Sequence, residues 1–231
     1  MQEGSLRRER IAVLLVLLLA AVQPAAAEPP ATAPVLRVYV VRHAQAWKNV
    51  PRILRPKGMT DDQLDALTPK GLEQAERLGK ALVGHDIVAV YTSPARRAQQ
   101  TAQAIARALG LPTPPDVDPA FASLSAGSEK AALDWRWRTH NFDAGKDPRP
   151  AEGESLADGL ARAEHAIAAI AAAHPGHAVV VVTHGEIAAA LLGRAAGTPL
   201  VASYRKNFID EGTWREIAID SSGRWTLILP R

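Results

Sequence analysis

The run Ala178-Val-Val-Val-Val-Thr183 constrains the fold more than any other stretch, because five of its six residues are apolar. A strand of this kind has no face to show to water, so other parts of the chain must cover both sides. Parallel sheets meet this demand, since the helical connections between their strands pack on both faces. The run therefore predicts a central strand of a parallel sheet in an α/β protein.

Strands and helices are predicted to alternate around this run. Further strands are predicted at 35–41 and 87–92, and the pair 213–219 and 225–229 is typical of a closing hairpin. The predicted helices run from Pro69 to Gly84, from Ser93-Pro94 to Gly110, from Ser155 to Ala173, and after Gly185 to Arg194. In the first of these, we expect an apolar stripe of Leu72, Ala75, Leu78 and Leu82 to face the core.

The first 27 residues are typical of a secretory signal peptide. Three arginines precede the apolar run Ile11–Val22, and Ala25-Ala26-Ala27 supplies an Ala-x-Ala cleavage pattern. The alternative is an uncleaved membrane anchor, but the apolar run is shorter than a bilayer-spanning helix requires. We therefore predict cleavage near Ala27, a flexible tether at 28–34, and a periplasmic or secreted protein without stable membrane association.

Residues 35–231 are long enough for one domain with a sizeable core. Within them, 111–153 is rich in Pro, Gly, Trp and charge, and a connection of this length is more often a lid or binding insertion than a plain loop. The chain has no cysteine, which excludes disulfides and thiol catalysis. Its 27 basic and 24 acidic residues are too balanced to predict nucleic acid as a partner, and the oligomeric state stays open.

Reactive or cationic side chains follow three of the predicted strands. Arg42 and His43 follow the first, Ser93 and Arg97 follow the second, and His184 follows the central strand. Because the carboxyl ends of parallel strands meet at one edge of a sheet, we expect these groups in one crevice. Guanidinium groups match phosphate oxygens, helix N-termini attract anions, and a neutral imidazole can attack phosphorus. The pattern favours a small, anionic, phosphorylated substrate.

Five segments resemble the motifs of the histidine phosphatase superfamily, also called phosphoglycerate mutase-like, in its branch 1. They occur in the superfamily's order and are Arg42-His43-Ala44-Gln45-Ala46-Trp47-Lys48-Asn49, Leu67 to Ala75, Ser93 with Arg97-Ala98 and Thr101-Ala102, Gly153-Glu154-Ser155, and Thr183-His184-Gly185. Any one of them alone is a weak signal, but together they span about 38–195. The resemblance implies a three-layer α/β/α sandwich with a mostly parallel central sheet.

The resemblance also implies roles for individual residues. His43 would be phosphorylated, while Arg42, Arg97 and His184 would bind the phosphoryl group and stabilise its transition state. Asn49 stands where the superfamily has a phosphate-contacting asparagine. No metal or other cofactor is implied. A metal site built on the two histidines is an alternative, although no further histidine follows His184 at the fourth position.

Two positions depart from the superfamily's pattern. Ala44 replaces a glycine where the backbone turns beneath the phosphate, and it would be strained if this turn needs a positive φ. Ser123 stands where the resemblance places the proton-donating glutamate, and a hydroxyl group cannot act as a general acid near pH 7. Three other carboxyl groups of the lid-like segment are candidate replacements, namely Glu129, Asp134 and Glu152. Glu129 is ranked first because it is nearest in sequence to Ser123.

These observations predict an exported phosphatase that hydrolyses a phosphomonoester or related phosphoryl compound through a phosphohistidine on His43, without metal. A mutase is a weaker hypothesis, because phosphorylated glycolytic intermediates are cytoplasmic. A phytase-like enzyme would show Arg-His-Gly-x-Arg-x-Pro and a His-Asp pair, which are absent.

Ser123 motivates a further alternative, a phosphate-binding or regulatory protein that has lost turnover. Asp134-Trp-Arg-Trp-Arg138 is a candidate for a cationic, aromatic cap over the substrate.

Overall fold

The computed structural model describes residues 34–129 and 135–229. The predicted signal peptide at 1–27, the tether up to residue 33 and Asp134 lie outside these ranges. Among the helices of the described residues, none combines the length and the apolar character that crossing a membrane requires.

In the described ranges, six strands form one sheet. They are β1 (Pro34–Arg42), β2 (Ile87–Thr92), β3 (Asp116–Val117), β4 (His177–Thr183), β5 (Trp214–Asp220) and β6 (Trp225–Ile228), in the spatial order β3-β2-β4-β1-β5-β6. The first four strands of this order pair in parallel, whereas β5 is antiparallel to both β1 and β6. The mostly parallel sheet and the closing hairpin are therefore confirmed.

Seven helices lie in the same ranges. They are α1 (Asp61–Asp65), α2 (Pro69–Ala81), α3 (Arg96–Leu109), α4 (Trp135–Asp143), α5 (Leu156–Ala173), α6 (Gly185–Ala195) and α7 (Leu200–Lys206). The predicted cap at Thr68 is present, since its Oγ1 accepts a hydrogen bond from the amide of Gly71 at 2.9 Å. Gly110 ends α3 with a φ of 65°, a conformation that favours glycine.

Helices cover both faces of the sheet. On one side, Val38, Val40 and their neighbours on β4 pack against α5 and α6. On the other side, Tyr39 and Val41 pack against α2 and α3. The side chains of β4 are buried from Ala178 to Thr183, as the apolar run predicts. This arrangement is the three-layer α/β/α sandwich that the resemblance implies.

The predicted apolar stripe of α2 is wrong at Leu72, whose side chain is 49% exposed. The helix instead turns Gly71 inward, where an added Cβ would overlap the carbonyl oxygen of Gln45. Ala75 and Leu78 continue this buried face. A pattern of apolar side chains cannot reveal that a glycine makes a close contact. The sequence therefore predicted the buried face of α2 at Leu72 instead of Gly71.

The segment 111–153 contributes in part to the core. Phe121, in the short 3-10 helix Pro119–Phe121, is fully buried, and its carbonyl oxygen accepts a hydrogen bond from Thr183 Oγ1 at 2.7 Å. The segment also contains β3 and α4, which the sequence pattern did not predict. That it acts as a lid stays a prediction.

The carboxyl ends of β1, β2 and β4 lie side by side. Arg42 pairs with Thr183 across the β1–β4 ladder, and Thr92 pairs with Val182 across the β2–β4 ladder. The next residues along the chain, His43, Ser93 and His184, therefore meet at one edge of the sheet. This is the crevice that the parallel topology predicts.

Candidate active site

His43 is buried at the end of β1, and hydrogen bonds orient its ring. Nδ1 donates to the carbonyl oxygen of Ala44 at 2.8 Å, which leaves the lone pair on Nε2. The Nε of Arg97 donates to this lone pair at 3.0 Å. Burial lowers the pKa of His43 well below its usual value, and the cost of placing a second positive charge next to the His184 ring or Arg97 lowers it further. The ring is therefore neutral at pH 7.

Ala44 does not strain the turn that follows His43. Among the described non-glycine residues, only Asp86 and Glu152 have a positive φ, so Ala44 has an ordinary backbone conformation. Its amide donates to Thr101 Oγ1 at 3.0 Å, and its methyl group is fully buried. The strain anticipated for alanine at this position does not arise.

Arg97, at the start of α3, links the two histidines. Besides its bond to His43, it donates through Nη2 to Nδ1 of His184 at 2.8 Å. Its Nη1 pairs with Asp65, which also accepts a hydrogen bond from Lys48 at 3.1 Å. Burial opposes ionisation of Asp65, but the charges of Arg97 and Lys48 outweigh it and lower the pKa. Asp65 is thus an ionised counter-charge for a buried guanidinium, and no sequence motif indicated it.

His184 precedes α6 and lies between Arg97 and Ser93. Because Nδ1 accepts from Arg97, Nε2 carries the proton and donates to Ser93 Oγ at 2.7 Å. Burial lowers the pKa of His184 well below its usual value, and the charge of Arg97 adds to this effect. The ring centroids of His43 and His184 are 5.2 Å apart. Two neutral imidazoles therefore lie next to one guanidinium.

Arg42 is held by the segment that precedes β5. It donates to the carbonyl oxygen of Ile209 at 3.0 Å and to Glu211 Oε1 at 3.3 Å, and its guanidinium carbon lies 4.7 Å from the ring centroid of Phe208. Its Nε is buried and has no hydrogen-bond partner among the described residues. An unpaired buried N–H group is costly, so this atom is suited to an anionic ligand.

These residues open onto one cavity of about 660 Å³. The described residues that line it are Arg42, His43, Lys48, Asn49, Arg97, Ser123, Leu124, Ala126, Arg138, His184, Gly185, Glu186, Tyr204, Phe208 and Glu211. Five side chains predicted from the sequence are therefore brought together, and they are Arg42, His43, Asn49, Arg97 and His184. Asn49 also accepts a hydrogen bond from the amide of Ala46 at 3.3 Å, which closes the loop after β1.

Part of the proposed cap reaches the cavity. Arg138, on α4, lines it and donates to the carbonyl oxygens of Ser125 at 2.8 Å and Glu154 at 3.2 Å. The lining also includes Tyr204 and Phe208, two aromatic residues that the sequence did not single out. Part of the cavity wall is therefore cationic and aromatic.

Ser123 lines the cavity together with a carboxylate that the sequence pattern did not indicate as a site residue. Ser123 Oγ donates to Glu186 Oε1, and the amide of Leu124 donates to the same oxygen at 3.2 Å. Glu186 lies in the first turn of α6, two positions after His184. Its place directly after the Thr-His-Gly segment was the signal that could have revealed it.

Two of the three carboxyl groups ranked from the sequence are not brought to the cavity. Glu129 and Glu152 are not among the described residues that line it, and Glu152 is exposed. Asp134 lies outside the described residues. In the described ranges, no three His, Asp or Glu residues are grouped so that they could hold a metal ion. Independence from metal stays a prediction.

The model of the histidine phosphatase superfamily (branch 1) matches residues 38–229. The chain belongs to this superfamily. Curated relatives named "Probable phosphoglycerate mutase GpmB" include one from Yersinia pestis (strain Pestoides F), 32% identical over 178 residues, which are 74% of this chain and 79% of the relative. The relative from Erwinia tasmaniensis is 29% identical over 177 residues, with the same coverage.

Solved structures of the superfamily fold are similar as well. Bacillus stearothermophilus YhfR is 26% identical, with a TM-score of 0.67 over 84% of this chain and 96% of that one. A mycobacterial glucosyl-3-phosphoglycerate phosphatase in complex with VO3 is 23% identical, with a TM-score of 0.66 over 84% and 98% of the two chains, and supports the fold. The chain is therefore a histidine phosphatase superfamily enzyme that acts on phosphoryl groups.

Proposed function

We propose that this protein is an exported phosphatase that hydrolyses a phosphomonoester, or a related phosphoryl compound, through a phosphohistidine on His43. The observation that carries the proposal is the lone pair of His43 Nε2, which faces a cavity with the guanidinium of Arg97 and the unpaired Nε of Arg42. A neutral imidazole is a nucleophile, and two guanidinium groups stabilise the charge of a phosphoryl group in transfer.

In the first step, Arg97 turns its Nε–H group from His43 to an oxygen of the bound phosphoryl group. The freed lone pair of Nε2 attacks phosphorus, the bond from phosphorus to the ester oxygen breaks, and the leaving oxygen takes up a proton. Arg42 binds a second phosphoryl oxygen through Nε. The dianion offsets the positive charge around His184. Once the hydrogen bond from Arg97 Nη2 to Nδ1 breaks, the ring can take a proton from water on Nδ1 and donate it in a hydrogen bond to the phosphoryl group.

In the second step, water attacks the phosphohistidine. The P–N bond breaks, inorganic phosphate leaves, and the neutral ring of His43 is restored with its Nδ1 proton still bound to the Ala44 carbonyl oxygen. The same pocket serves both steps, because the phosphoryl group stays within reach of Arg42, Arg97 and His184 throughout.

Mutase activity is the second candidate, and the relatives named as probable phosphoglycerate mutases favour it. A mutase returns its phosphoryl group to a second hydroxyl group, whereas a phosphatase passes it to water. Incubation with each phosphoglycerate isomer separates the two reactions, since a mutase yields the other isomer and a phosphatase yields inorganic phosphate. The phosphatase proposal is wrong if the isomers interconvert faster than phosphate is released.

Export is part of the proposal and is supported by the residues of the leader. Arginines, an apolar run and Ala25-Ala26-Ala27 stand in the order of a cleavable signal peptide. Expression of the full chain in a bacterium with two membranes should place the protein in the periplasmic fraction, with an N-terminus near Glu28. A cytoplasmic protein that keeps Met1 or its leader would contradict export without affecting the chemistry.

Release of an aryl alcohol from an aryl phosphate tests the chemistry, because this leaving group needs no proton donor. The purified protein should release it, His43→Ala should abolish release, and the exposed His165→Ala should not change it. Denaturation at alkaline pH during turnover of a substrate 32P-labelled in its phosphoryl group should trap label that is stable to base and labile to acid, as a phosphohistidine is. Release that does not depend on His43 would contradict the proposal, whereas tight phosphate binding without turnover would favour a binding protein.

A further inference from the structure

Glu186 and Ser123 form a hydrogen-bonded pair on the wall of the active-site cavity. Glu186 comes from the first turn of α6, directly after the His184 segment, and Ser123 comes from the loop that follows Phe121. Both donors to the carboxylate, Ser123 Oγ and the amide of Leu124, bind its Oε1. The carboxylate is therefore held in one position on the cavity wall.

The cavity offers few groups that could protonate a leaving oxygen. Its described lining contains two carboxyl groups, Glu186 and Glu211. Burial raises the pKa of Glu211, but its carboxylate accepts a hydrogen bond from the guanidinium of Arg42 at 3.3 Å, so taking up a proton would cost it this ion pair. In the described part of the chain, no arginine forms an ion pair of this kind with Glu186, whose hydrogen bonds come from a hydroxyl group and from backbone amides. It is thus the better candidate for a group that gains and loses a proton.

We propose that Glu186 is the proton donor to the leaving oxygen, in place of the glutamate that the superfamily pattern expects at position 123. This inference rests on the proposed phosphatase function. As the ester P–O bond breaks, the protonated carboxyl group of Glu186 transfers its proton to the leaving oxygen and becomes a carboxylate. When water attacks the phosphohistidine, the carboxylate accepts a proton from that water, and Glu186 is restored for the next cycle.

Ser123 has a positioning role in this scheme. A serine at this position has no proton to give near neutral pH, but its hydroxyl group reaches across the cavity wall to Glu186. In this scheme the acid comes from the start of α6 instead of the loop at 123, and the serine in the loop orients it.

The charges around Glu186 are compatible with proton uptake when substrate binds. Burial raises its pKa, but the hydrogen bonds from Ser123, from its own amide and from Leu124, together with the charge of Arg138, outweigh burial and lower it. A phosphoryl dianion in the same cavity places two negative charges beside the carboxylate, which favours its protonated form. The proton is therefore loaded as the substrate enters.

The dependence on the leaving group tests this role. Alkyl phosphates need a proton donor, whereas aryl phosphates leave as stabilised anions, so Glu186→Gln should slow alkyl phosphate hydrolysis by about 10²- to 10⁴-fold and aryl phosphate hydrolysis far less. Glu73→Gln, on the exposed side of α2, is the matched control and should change neither rate. Glu129→Gln tests the rival carboxyl group, and a selective loss of alkyl hydrolysis there would overturn the proposal.

The outcomes separate this inference from the proposed function. His43-dependent aryl phosphate release tests the function alone, and its absence would reject both. Where that release is present, the inference is overturned if the wild-type protein fails to hydrolyse alkyl phosphates, or if Glu186→Gln slows both substrates equally or neither. A selective loss with unchanged circular dichroism supports it.

A second variant covers the case in which Glu186→Gln does not fold. Ser123→Ala removes the hydroxyl bond to Oε1 and leaves the carboxyl group in place. It should slow alkyl phosphates more than aryl phosphates, by a smaller factor than the loss of the carboxyl group itself. Equal slowing of the two substrates would overturn the proposal.

Discussion

Arg97 Nε lies 3.0 Å from His43 Nε2, the nitrogen whose lone pair is left open by the bond from Nδ1 to the Ala44 carbonyl oxygen. The same guanidinium group bonds His184 through Nη2. One arginine therefore positions both imidazole rings together. Whatever fixes Arg97 controls both rings, and the contact that fixes it on the other side is Asp65.

Asp65→Asn should lower kcat/KM for an aryl phosphate by about 10²-fold, because small displacements of a positioning group are costly in transfer reactions. The charge that holds Arg97 is lost, while the side-chain volume is retained. Steady-state kinetics would measure the effect, with Asp62→Asn as the matched control. Asp62 pairs with the neighbouring Arg96 on the protein surface, and equal effects of the two variants would contradict a specific role for Asp65.

Gly185→Ala should weaken phosphate binding. A Cβ at this position would lie 2.7 Å from Cε2 of Phe208 and 3.4 Å from Nε of Arg42, so the ring or the guanidinium must shift. We expect the inhibition constant of inorganic phosphate to rise about 10-fold or more. Phe208→Leu removes the ring that the methyl group meets, and the double variant should recover part of the affinity. Unchanged inhibition in Gly185→Ala would show that Arg42 does not bind phosphate from this position.

The two histidines should make the protein less stable in mild acid. Their pKa values are lowered well below 6.5 in the folded state, so below about pH 6.5 the unfolded chain binds more protons than the folded one. The free energy of unfolding therefore falls as pH decreases from 7 to 5, by up to about 1.4 kcal/mol per pH unit for each histidine.

Urea unfolding at pH 7 and pH 5 would measure this loss. A variant with His43→Ala and His184→Ala should lose less stability than the wild type over the same interval. The carboxylates with lowered pKa values, such as Asp65, titrate at lower pH and contribute little to the comparison. An identical loss in both proteins would contradict the assignment.

The inward face of α2 can be tested by two leucine substitutions. Leu78 is 4% exposed and Leu72 is 49% exposed. Leu78→Ala should destabilise the protein by about 2–5 kcal/mol, as is usual for a buried leucine, and Leu72→Ala by less than about 1 kcal/mol. Chemical denaturation would compare them, and a larger effect at Leu72 would restore the stripe predicted from the sequence.

The sheet and the principal site residues were accessible from the sequence because both depend on local patterns. A strand such as Ala178–Thr183 is apolar on both faces and is stable only where other elements cover both. This pattern therefore predicts a position in the centre of a parallel sheet. The residue after each such strand then lies at a known edge, and this rule brings His43, Arg97 and His184 together without coordinates. The short elements α1, α7 and β3 carry too little periodicity to be predicted in this way.

The partners of those residues were decided by tertiary structure alone. Asp65 reaches Arg97 from a separate helix, and Glu186 meets Ser123 across 62 intervening residues. Glu129 was ranked first as the proton donor because it is close to Ser123 in sequence. Which side chains share a cavity depends on the fold, however, and not on their spacing in the chain. The apolar pattern and the strand ends therefore determined where His43 lies, whereas packing between loops and helices decided which counter-charge holds Arg97 and which carboxyl group meets Ser123 on the cavity wall.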